Sequence, residues 1–191
     1  MRSLVWGLLI ACLTSTALAQ TEPKSSPPAQ PSPSRSTTTP APSLTLSGHV
    51  TAGDNAPSFE LASSSGQQRS LRSLKGDWVV LLFMPSKSDF IRFRESSADF
   101  ARLPATLVGI TVDNPQTLRN LANKEKLPFE LLGDVTAEVS ATYGMWDAAA
   151  SATHPGMVVV DRRGIIKLVV SGQVLPPDQV LSLTSLTIQG S

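Results

Sequence analysis

The chain has 191 residues, 41% of them hydrophobic and 16% charged, with a formal net charge of +1. That balance fits one ordinary soluble domain and lacks the basic excess on which nucleic-acid binding depends. The single cysteine, Cys12, excludes an intramolecular disulfide. Two histidines with no further cysteine make neither a structural zinc site nor a Cys–His catalytic pair, so no metal and no cofactor is expected.

Residues 1–19 read as an export signal, with Arg2 at the start, an apolar stretch from Leu4 to Leu13, and a small-x-small cleavage site at Ala17-Leu18-Ala19. A periplasmic or extracellular location follows. The alternative is a lipoprotein box at Leu9-Ile10-Ala11-Cys12, which would leave the protein membrane-anchored through Cys12. The apolar stretch is too short to span a bilayer as a helix, so no membrane span is expected. Residues 20–46 form a linker, with seven prolines between Pro23 and Pro42 among Ser, Thr, Ala and Gln. Such a composition buries nothing and predicts an extended, disordered spacer. The folded domain is expected over 47–191.

Within it, Ser58–Leu61 and Gln68–Leu71 alternate around Ser63-Ser64-Ser65-Gly66, which predicts a hairpin. Trp78–Phe83 is a continuous apolar run stopped by Pro85, the pattern of a strand buried on both faces. After the strand, Phe90, Phe93, Ala98, Phe100, Ala101 and Leu103 approximate a 3.6-residue period, which predicts a helix. Thr106–Val112 is a second buried strand. Asn114 and Pro115 supply an N-cap and a first helical residue, and Leu118, Leu121 and Ala122 an apolar face. Phe129–Leu132 reads as extended, and Val135–Tyr143 as a helix ending at Gly144. Met157–Val160 and Ile165–Val170 flank a turn at Asp161-Arg162-Arg163-Gly164. A closing helix after Pro176-Pro177-Asp178 presents Leu181, Leu183 and Leu186. The fold class is α/β: a central mixed sheet with helices on both faces.

A strand, a tight loop and a helix N-terminus favour an anion or thiolate at the loop. The residues there are Ser86, Lys87, Ser88, Asp89, Phe90, Ile91 and Arg92, none a cysteine. Ser86 or Ser88 with His154 and an aspartate would suggest a hydrolase triad, but no nucleophile-elbow pattern accompanies them. Met84, Met145 and Met157 fill the core or scavenge oxidants as sulfoxides. Tyr143, Met145 and Trp146, beside Asp147 and the Ala148–Ala150 run, read either as an exposed recognition loop or as a packed aromatic lid.

Gly53–Leu61, Leu74–Phe83, Gly109–Pro115, Leu127–Asp134 and Val158–Gly164 occur in an order that resembles the peroxiredoxin and redoxin branch of the thioredoxin fold. The resemblance spans residues 49–172 and implies an antioxidant peroxidase or thiol oxidoreductase. Counted from Pro85, the family's threonine falls on Asp89 and its reactive cysteine on Arg92, while Glu95 keeps the family's glutamate. The Cys-x-x-Cys of thiol-disulfide redoxins falls on Ser88-Asp89-Phe90-Ile91, and the second functional arginine of peroxiredoxins on Pro155. Thr153-His154-Pro155 is similar to the proline loop of redoxins.

Peroxide reduction needs a thiolate, and a serine hydroxyl has no accessible sulfenic-acid step. The degenerate site at Pro85, Ser88, Asp89 and Arg92 therefore implies a pseudoenzyme, a non-catalytic binding or scaffold module. Its binding candidates are Asp89, Arg92, Trp146, His154 and Pro155, and its partner an exported protein or peptide. The alternative is a thiol peroxidase that borrows a thiol or retains Cys12.

Overall fold

All six residues of Trp78–Phe83 are buried, and their side chains divide strictly between two apolar clusters. Trp78, Val80 and Leu82 enter one cluster, and Val79, Leu81 and Phe83 the other, which is what period-two side chains do when both faces of a strand are covered. The computed structural model describes residues 50–191. The expected export signal, Cys12, the linker and His49 lie outside the described residues.

In chain order the strands are β1 (Glu60–Ser63), β2 (Gln68–Ser70), β3 (Trp78–Phe83), β4 (Ala105–Thr111), β5 (Glu130–Gly133), β6 (Trp146–Asp147), β7 (Ala152–Thr153), β8 (Gly156–Val160) and β9 (Ile166–Ser171). The α-helices are α1 (Ser97–Phe100), α2 (Pro115–Glu125), α3 (Glu138–Thr142) and α4 (Pro177–Gln189). Seven strands form one sheet in the order β2-β1-β5-β4-β3-β8-β9. The β3–β4 and β4–β5 pairs are parallel and the outer pairs antiparallel, so the sheet is mixed as expected. Strands β6 and β7 make a separate small hairpin. Residues of α2 and α4 pack in the cluster on one face of the sheet, and Val139 of α3 in the cluster on the other.

Several local expectations hold. Asn114 caps α2, accepting from the Thr117 N–H at 2.8 Å, with Pro115 at the first helical position. The β8–β9 turn is closed by Asp161, whose Oδ1 accepts the N–H groups of Arg163 and Ile165 at 2.9 Å each. Gly164 takes φ 90 there, a left-handed conformation that costs glycine little.

Other expectations fail for identifiable reasons. The segment after Pro85 is not one amphipathic helix: Lys87–Arg94 is a 3-10 helix, followed by the short α1. In 3-10 geometry residues three apart eclipse, so Phe90 and Phe93 both point inward. Ala98 and Ala101 are exposed. Helix α3 begins only at Glu138, because the buried Asp134 turns back to accept the N–H groups of Val139 and Ser140 at 3.3 and 2.7 Å. In α4 the buried positions are Val180 and Thr184, and Leu186 faces outward at 66% exposure.

Candidate functional site

The site is set by strand register. Phe83 at the end of β3 pairs with Gly156 at the start of β8. The chain leaving β3 through Met84-Pro85 and the chain entering β8 through His154-Pro155 therefore emerge from neighbouring strands at the same end of the sheet. Gly156 is small for a reason: a Cβ there would lie 2.6 Å from Met145 Sδ and 2.7 Å from the Val170 carbonyl.

Ser86 caps the 3-10 segment, accepting from the Ser88 N–H at 3.3 Å, and the two hydroxyls lie 2.8 Å apart. Lys87 Nζ donates to Asp113 Oδ1 at 2.8 Å, and Thr111 Oγ1 donates to Asp113 Oδ2 at 3.3 Å. This clamp ties the loop to the end of β4 and was not read from the sequence, where Lys87 and Asp113 stand 26 positions apart. Arg92 and Asp89 form an i,i+3 ion pair at 3.8 Å, with the Arg92 side chain 45% exposed. Arg92 thus faces solvent and is not a buried plug filling the space of a thiol.

Across the sheet end, Trp146 pairs with Thr153 in the β6–β7 hairpin. The hairpin's turn holds the Ala148–Ala150 run. Asp147 Oδ1 accepts the Ala149 and Ala150 N–H groups at 2.8 and 3.0 Å. The Ala150 and Ala149 hydrogen bonds, with a smaller contribution from His154, hold the Asp147 carboxyl below the usual carboxylate range. Trp146 is half-buried, between the two readings given for it. His154 is exposed, with its Nε2 3.8 Å from Asp147 Oδ2.

The backbone of the proline loop is used internally. The His154 N–H donates to the Met145 carbonyl at 2.8 Å, and the Pro155 carbonyl accepts from the Gly172 N–H at 2.9 Å. Both groups are therefore spent inside the domain.

The site residues fall into two small groups, Asp89 with Arg92 and Asp147 with His154. Among the described residues, no hydrogen bond joins His154 to Ser86 or Ser88, and the hydroxyl pair has no base in contact. No cluster of three or more His, Cys, Asp or Glu side chains suited to a metal occurs among them either.

A model of the AhpC/TSA family matches residues 52–169. The chain belongs to the AhpC/TSA family. Two chloroplastic peroxiredoxin Q proteins are similar to it. That of Populus jackii is 31% identical over 71% of this chain and 67% of its own length. That of Sedum lineare is 32% identical over 69% and 74% respectively. Among solved structures, the peroxidoxin BcpB of Mycobacterium tuberculosis superposes with a TM-score of 0.65 at 25% identity, covering 74% of this chain and 98% of that one. The fold is accordingly that of the AhpC/TSA proteins, a thioredoxin-like mixed sheet flanked by helices.

Proposed function

We propose that this AhpC/TSA domain is an exported, non-catalytic binding or scaffold module. The observation that carries this reading is Arg92. It stands where the family resemblance puts the reactive cysteine, its side chain is exposed and paired with Asp89, and the sequence contains no cysteine after Cys12. A guanidinium is permanently protonated and cannot serve as a nucleophile. Ser88 and Ser86 bond to each other, and no group that would deprotonate them is in contact. Recognition rests on side chains, those of Asp89, Arg92, Trp146 and His154 around the exposed Pro85 and half-buried Pro155, since the His154 N–H and the Pro155 carbonyl are already engaged.

A second reading has support in family membership and in the names of the relatives, which favour a peroxidase. It requires a thiol from a partner or from Cys12. The deciding experiment is peroxide consumption by the full chain, which keeps Cys12, and by protein beginning at Gln20, each with a thioredoxin reducing system and a peroxiredoxin control. Turnover by the full chain alone that thiol alkylation abolishes supports the second reading. Turnover at the buffer rate supports the non-catalytic reading. Turnover that persists after thiol alkylation and metal chelation sinks it.

A further inference from the structure

The other end of the sheet carries a second feature. A cavity of about 490 Å³ opens between the start of β3, the β8–β9 turn and the end of α4. Trp78 and Ile188 supply its apolar wall, and Arg162, Arg163 and Lys167 its charge. One buried carboxylate organises two of these cations. Asp161, 6% exposed, has its Oδ2 3.4 Å from Arg163 and 3.7 Å from Lys167. Its Oδ1 is occupied by the turn's own N–H groups.

Arg162 has no carboxylate within 4.0 Å among the described residues. Ser191 closes the rim. Lys75 adds a fourth cation beside the same turn: a Cβ on Gly164 would lie 3.3 Å from its Cε. Asp77 precedes Trp78 but is exposed and takes no part in the lining. Arg163 and Lys167 beside Asp161, with the unpaired Arg162, stand against an indole and an isoleucine, a lining that suits a ligand with an anionic head and an apolar body.

We propose that this cavity binds a small organic anion, a carboxylate or phosphate monoester on an apolar or aromatic body. The site lies at the start of β3, away from the loops after Phe83, so it stands independently of the function proposed above.

The test uses the Trp146→Phe protein, in which Trp78 is the one remaining tryptophan of the domain and reports by fluorescence. The probes are phenyl phosphate, benzoate, inorganic phosphate and benzyl alcohol. Phenyl phosphate or benzoate is expected to bind at least about fivefold more tightly than either half-ligand, since head and body each contribute. Arg162→Gln, which breaks no ion pair and should leave Tm unchanged, is expected to weaken that binding about fivefold, and Arg162→Gln with Lys167→Gln further. Benzyl alcohol or inorganic phosphate binding as tightly as the composite probes would overturn the proposal. So would an unchanged affinity in the Arg162→Gln protein, or no binding of either composite probe at 10 mM, about the weakest affinity such a site would hold.

Discussion

Phe90 occupies the space that Gly109 leaves empty. A Cβ on Gly109 would come 2.6 Å from Phe90 Cε1 and 2.7 Å from Leu131 Cδ2. Gly109 lies between Leu82 of β3 and Leu131 of β5, so the ring seats in the middle of the parallel strands. From there Phe90 meets Phe129 edge-on at 6.0 Å, and Phe93 meets Phe129 at 5.8 Å. This seat fixes the 3-10 segment and thereby the surface that carries Asp89 and Arg92. Gly109→Ala should destabilise the domain by about 1–3 kcal/mol, the usual cost of overpacking a core. Adding Phe90→Leu should recover part of that loss in thermal unfolding, whereas an additive double mutant would show that the two residues do not share the space.

Among the described residues, Arg92 makes only an exposed ion pair, at 3.8 Å. Arg92→Ala should therefore change stability by no more than about 1 kcal/mol. Arg92→Cys should give the protein beginning at Gln20 one readily alkylated thiol. Its peroxide turnover should stay at least about tenfold below that of a peroxiredoxin control if, as the resemblance implies, Pro155 falls at the second arginine position and one source of thiolate stabilisation is missing. A rate equal to the control would show that the scaffold activates a thiol without that arginine.

Tyr143 is buried, packs tilted against Phe83 with ring centres 5.5 Å apart, and donates its hydroxyl to the Pro57 carbonyl at 2.6 Å. Burial pushes its phenol well above the usual tyrosine range. Tyr143→Phe keeps the ring and strands the carbonyl, so a loss of about 1–3 kcal/mol is expected in urea unfolding. A neutral outcome would mean that water reaches Pro57.

Glu130 accepts from Arg69 through both oxygens, at 2.6 and 3.0 Å. The Arg69 hydrogen bonds hold its carboxyl below the usual range, against the opposing effect of partial burial. A depressed folded-state pKa contributes stability above the unfolded value, about 4.3 for glutamate, and loses it as pH falls through the folded value. The stability gap between the wild type and Glu130→Gln should therefore be present at neutral pH and close as pH drops below about 4. A gap that does not change with pH would mean that packing, not charge, makes the difference.

The sequence by itself determined what depends on neighbours along the chain. The apolar run Trp78–Phe83, the Asn114-Pro115 helix start and the Asp161–Gly164 turn are local patterns, and each formed as read because its stabilising groups lie within a few residues. The order of those motifs also carried the family. Tertiary structure decided the rest. That Phe90 and Phe93 are buried while Ala98 and Ala101 are exposed depended on the 3-10 segment ending before α1, with Phe90 seated in the hollow at Gly109. The Lys87–Asp113 clamp and the engaged His154 N–H and Pro155 carbonyl join residues far apart in sequence, so no periodicity announces them. The cavity beneath Trp78 gathers side chains from β3, the β8–β9 turn and α4, which become neighbours only when the sheet has formed and the last helix has packed on it.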